Sequence, residues 1–209
     1  MAGIDGELPY VSINGHCGPN GSSVQPDDEG GTRQALEYLY NLGHRKIAYA
    51  DAEASKSFHR SILIRREAFR KSATELGLPV LIQELTTIFD NNDHNDSACL
   101  FVRQQVLENG ATAVLVYDHK RAVRILQAAN SLGVKVPQRL SIVGFNDEYP
   151  IAAVTPPLTA VAVPAGEMGA AAASLLLDQI NSEPPAEPHR VTLPERLVIR
   201  ASTSPPGIS

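Results

Sequence analysis

No run of apolar residues in this 209-residue chain approaches the ~20 that a membrane-spanning helix needs, so no helical span is encoded in it. Cysteine is scarce: Cys17 and Cys99 are the only two, and neither stands in a metal-ligand spacing. One disulfide or two reduced thiols both fit that count, and reduced thiols in a cytosolic protein are the simpler reading. Excess positive charge is missing as well. A net charge of -5 and a pI of about 5.7 give no bulk attraction for nucleic acid. The opening "MAGIDGELPY" lacks the basic and then apolar layout of a secretory leader. There is no internal repeat, and low complexity is confined to the tail "STSPPGIS".

Reaction motifs are absent too. No Walker lysine, G-x-G-x-x-G fingerprint, G-x-S-x-G elbow or H-E-x-x-H pair is present. "FDNNDHNDS" puts Asp90, Asn92, His94 and Asp96 at alternate positions, but its sixth place is Asn95 instead of glycine and its twelfth is Phe101 instead of glutamate. A solvated loop leading into a helix cap is the better reading. Catalysis, a metal and a cofactor are all without support.

What is present is a large apolar fraction, 43%, arranged in alternating patterns. "LPYVSI", "RKIAYA", "VLIQELTTIF", "TAVLVYD", "LSIVGFND", "PLTAVAVP" and "ERLVIRAST" read as strands or extended segments. Between them stand helical patterns: "PDDEGGTRQALEYLYNLGH", "SILIRREAFRKSATELG", Ser97 to Glu108, "HKRAVRILQAANSLG" and "AGEMGAAAASLLLDQI". "NGHCGPNGSS" reads as a loop. Strands apolar on both faces, alternating with helices, specify an α/β fold with parallel sheets flanked by helices.

In such a sheet the carboxyl ends of the strands share one edge, where ligands bind. Two central strands end there in polar groups: Tyr117 and Asp118, then Asn146 and Asp147. Asp118 directly precedes a helix and is expected to cap it. Asn146 has two readings, a ligand contact or a local turn bond. Along its helix, Arg65 heads a stripe with Phe69, Ser72 or Ala73 and Leu76 that is otherwise core-like. A guanidinium there binds hydroxyls or a carboxylate, or pairs with an acidic neighbour. Arg60, Arg66, Arg70 and Lys71 read as a solvated face.

Taken in order, Asp27-x3-Gly31-x3-Ala35-x3-Leu39, "LGHRKIA", "RREAFRKSATELGL", "TAVLVYD", "LGVKVPQRLSIVGFND", "TPPLTAV" and "LPERLVIRAST" carry a family likeness. The chain resembles the effector-binding core of LacI/GalR-type bacterial transcription regulators, which is periplasmic-binding-protein-like of type I. The resemblance implies one complete and one partial lobe with a small molecule between them. Residues 1–44 with 161–190 would form the partial amino-terminal lobe, 45–160 with 191–204 the carboxy-terminal lobe, and 205–209 a tail. Crossings are expected near His44, Val161 and Pro188 to Leu193. One strand with two helices would leave apolar faces unburied, so a longer parent chain bearing a helix-turn-helix is expected.

Carried over residue by residue, the resemblance places the effector arginine at Arg65. It puts an aromatic platform at Phe89, with a buried core phenylalanine as the alternative. Tyr117 stands where the family has asparagine, and Asn146, followed by Asp147, where it has aspartate. Val163 stands at an often polar position, and His44 is structural. Fewer polar groups than usual suggest a less polyhydroxylated or an acidic effector, a sugar or a small acidic or aromatic metabolite. The family also implies a cytoplasmic homodimer that touches DNA only through the helix-turn-helix and does not engage a membrane. The alternative readings are a periplasmic sugar-binding protein of an ABC transporter and a small α/β enzyme.

Overall fold

The computed structural model describes residues 9–15, 17–18, 21–52, 59–85, 97–182 and 187–207. They form two compact units, Met1–Asp27 with Val163–Glu195, and Asp28–Ala162 with Arg196–Ser209. None of their helices is long and apolar enough to cross a membrane.

The larger unit is a six-stranded sheet. Its strands are β3 (Ile47–Ala52), β4 (Leu81–Leu85), β5 (Ala113–Val116), β6 (Ser141–Phe145), β7 (Thr159–Ala162) and β9 (Arg196–Val198). The order is β4-β3-β5-β6-β7-β9, parallel throughout except for β9, which runs antiparallel to β7. Every residue of β3, β5 and β6 is buried, as expected of strands covered on both sides. On one face Ala48, Ala50, Val114, Val116 and Ile142 pack beneath α3 (Ser97–Phe101), its π-helical continuation Val102–Glu108, and α4 (His119–Ser131). On the other, Ile47, Tyr49, Leu115, Val143 and Phe145 pack beneath α1 (Asp28–Asn41) and α2 (Arg60–Glu75). Each large side chain fully buried in these layers contributes about 1.5–3 kcal/mol.

Local sequence sets the helix ends. Gly77 takes φ +66 just past α2, and Leu78 N–H donates back to the Ala73 carbonyl at 2.8 Å. At the head of α4, Asp118 Oδ1 accepts from Arg121 N–H at 2.7 Å, the cap expected from its position. Gly144, in the middle of β6, faces α4 closely: a Cβ there would lie 3.0 Å from Ala122 Cβ and 2.9 Å from Ile151 Cδ1.

The smaller unit is a three-stranded parallel sheet, β1 (Val11–Ile13), β2 (Ser22–Pro26) and β8 (Arg190–Leu193), in the order β1-β2-β8. Helix α5 (Ala165–Asn181) packs on it through Met168 and Ala172 around Val24. β2 begins in the stretch that reads as loop, at Ser22 and Ser23, and ends at Pro26, where the helical pattern begins. Only Val24 in "SSVQP" signals a strand, yet this is the central one, and the buried Ser22 hydroxyl bonds His189 N–H and Gln179 Nε2. β8 likewise occupies the segment expected to be a crossing.

The first helix was expected with residues 1–44, in the amino-terminal lobe. Instead α1 belongs to the larger unit, because its apolar stripe, Ala35, Leu36 and Leu39, meets Ile47, Phe69 and Leu115. The chain therefore leaves the smaller unit at Asp27, returns at Val163 and leaves again after Glu195. His44 lies inside the larger unit, far along the chain from that first passage.

Candidate functional site

The carboxyl edge of the six-stranded sheet gathers charge. Arg65, one turn into α2, is only 2% exposed. Its Nε donates to Asp28 Oδ1 at 2.5 Å, joining the first residue of α1 to α2, and both side chains are 3% exposed. Nη1 donates to the Tyr117 carbonyl at 2.9 Å, just beyond β5. The guanidinium lies 3.9 Å from the centre of the Phe145 ring at the end of β6 and 5.3 Å from that of Tyr117. One arginine thus ties two helices to the ends of two strands.

Further acid–arginine pairs belong to the same unit. Asp51, buried at the end of β3, accepts from Arg66 Nε and from Ala52 N–H, while Arg66 Nη2 reaches Glu84 at 2.6 Å. Burial pushes the Asp51 carboxyl above its ordinary range despite the Arg66 bond. Arg121 Nη1 donates to Asp118 Oδ2. Arg200 Nη2 lies 2.8 Å from both oxygens of Asp147, and its Nη1 donates to the Leu158 carbonyl. Burial raises the Tyr117 phenol to about 12; its hydroxyl lies 3.4 Å from His59 Nδ1.

Of the residues singled out in the sequence, Arg65 and Tyr117 come together. Of the alternatives raised for Arg65, the structure shows the pairing with an acidic neighbour, Asp28. Asn146 follows the Phe145 that Arg65 covers and takes the left-handed φ of +63 that asparagine tolerates, half-buried at the strand end. Asp147 is drawn to Arg200 instead. Phe89 and the "FDNNDHND" loop lie outside the described residues. Arg66 does not belong to a solvated face: at 24% side-chain exposure it bridges two carboxylates.

Asp28, Phe145 and Asp51 were missed in the sequence. Asp28 stood inside a helical pattern, Phe145 inside a strand, and Asp51 one residue past the strand "RKIAYA". The available signal was an acidic side chain at a helix start or a strand end in a protein with arginines on α2.

The comparisons with known proteins agree with this architecture. The sequence profile of the periplasmic binding protein-like domain matches residues 36–203. The HTH-type transcriptional regulator MalR of Streptomyces coelicolor is 32% identical over 211 residues, covering 96% of this chain and 58% of its own. Among solved structures, a LacI-family transcriptional regulator from Mycobacterium smegmatis is 28% identical with a TM-score of 0.76, covering 94% of this chain and 70% of its own. A complex of the transcriptional regulator CelR with cellobiose is 26% identical with a TM-score of 0.78, covering 93% of this chain and 58% of its own. This chain spans little more than half the length of the curated regulators it matches. With a covered parallel sheet, charged strand outlets and a profile match over most of its length, the chain belongs to the periplasmic binding protein-like domain family, in the form found in LacI-type transcriptional regulators.

Proposed function

We propose that this chain is the effector-sensing core of a LacI/GalR-type regulator and that its effector is a small, neutral, polyhydroxylated molecule. The observation that carries this reading is the Arg65–Asp28 pair set between aromatic rings at the sheet's carboxyl edge. Paired charges of this kind give directional donors and acceptors without surplus charge. Sugar hydroxyls use both, and ring faces suit the apolar side of a sugar. An acidic effector is disfavoured, because Arg65 is already neutralised by Asp28, Arg66 by Asp51 and Glu84, and Arg121 by Asp118. Arg65, Tyr117 and Asn146 are the contacts proposed for this chain, while Asp147 anchors Arg200. The cellobiose held by CelR supports the ligand class by analogy.

In this reading the chain is a binding module in a cytoplasmic, dimeric regulator whose operator contacts are made by a helix-turn-helix outside the matched segment. The effector acts by binding one arrangement of the regulator more tightly than another, since only differential affinity shifts such an equilibrium. The regulator reading is preferred to a transport protein because the relatives are HTH-type regulators.

Titration calorimetry tests the ligand class with cellobiose, ribose and glucose against gluconate and glucose 6-phosphate. Binding of a neutral sugar, lost on Arg65→Met, is the expected result. Selective binding of the anions would reverse the assignment of class.

A further inference from the structure

Tyr49 stands in the middle of β3, fully buried, with its ring stacked on Phe69 at 5.1 Å and 23°. Phe69 lies one helical turn along α2 from Arg65, and Tyr49 shares its face of β3 with Asp51. Its hydroxyl has no hydrogen-bond partner among the described residues. Burial pushes this phenol well above its ordinary range, and the charges that also act on it are Asp51, Arg65 and Asp28, with Tyr117 beside them. Tyr49 belongs to the same packed cluster as Phe69, Phe145 and Tyr117, and Arg65 lies over the last two of these rings. Phenylalanine would fill the same space without it, and a buried donor left unbonded disfavours the arrangement that contains it.

We propose that Tyr49 is a positioning residue of the effector site, whose hydroxyl gains its hydrogen bond when an effector's hydroxyl groups draw on the Arg65–Asp28 pair. In this proposal the hydroxyl is unbonded before the effector binds and bonded afterwards. Part of the effector's affinity thus comes from a group that never touches it. This inference rests on the effector reading of the same edge.

The test is Tyr49→Phe in the protein, read by thermal unfolding without sugar and by calorimetry with cellobiose, ribose and glucose. Removing the orphan hydroxyl is expected to raise the sugar-free Tm by about 2–4 °C. The same change is expected to weaken the Kd of whichever sugar the unsubstituted protein binds by about tenfold. A merely structural tyrosine would move stability and affinity in the same direction or leave affinity alone. A fall in Tm would show that the hydroxyl is already satisfied and would overturn the proposal. So would an unchanged Kd beside a raised Tm. If the unsubstituted protein bound none of the three sugars, the effector reading itself would fail, and this role with it.

Discussion

At the scale of single residues, the protein's chemistry turns on how its charges are matched. A guanidinium that is 2% exposed is tolerable only with a partner, and Arg65 has one in Asp28. Desolvating two charges cancels much of their attraction, so such a pair adds little net stability, yet removing one member leaves the other stranded. Arg65→Met is therefore expected to cost about 3–5 kcal/mol in urea unfolding. The double variant Arg65→Met with Asp28→Leu should recover most of that loss while still failing to bind effector. A double variant no more stable than Arg65→Met alone would show that the pairing is not what holds Asp28 in place.

At the scale of elements, the periodicities predicted the helices well because each has a strong apolar stripe and a glycine or polar cap at its end. The small sheet was not legible in the same way. β2 is nearly devoid of apolar residues, and its place between β1 and β8 comes from backbone pairing and from the buried Ser22 hydroxyl, which no pattern announces. Between β6 and α4 the controlling feature is a missing side chain. Gly144→Ala would bring a methyl to 3.0 Å from Ala122 Cβ and is expected to lower stability by about 1–3 kcal/mol, measured by thermal or urea unfolding. Unchanged stability would mean that α4 can move away from the sheet without cost.

At the scale of the whole molecule, one histidine binds together segments far apart in the chain. His44 is 1% exposed; its Nδ1 lies 2.8 Å from the Thr112 hydroxyl, and its Nε2 lies 3.0 Å from the Ser204 carbonyl and 3.1 Å from the Ser141 hydroxyl. A carbonyl only accepts, so Nε2 carries the proton in the neutral ring and Nδ1 accepts from Thr112. Burial lowers its pKa below the ordinary 6.5, while the bond to Ser204 opposes that shift. The unfolded chain therefore takes up the proton first. Stability from this site is full above pH 6.5 and is lost as the pH falls through the lower folded-state value. Urea midpoints measured across that range should decline toward acid, and His44→Gln should remove this part of the decline.

The sequence by itself determined the α/β class, the order of most elements and the edge on which polar groups emerge. These follow from periodicity and capping, which act over a few residues. Only the tertiary structure decided that Asp28 neutralises Arg65 from 37 positions away, that Asp147 turns to Arg200, and that α1 packs with the larger unit. An apolar stripe or a lone charge states a need without naming its partner, and that choice is made only when distant segments compete for the same buried space.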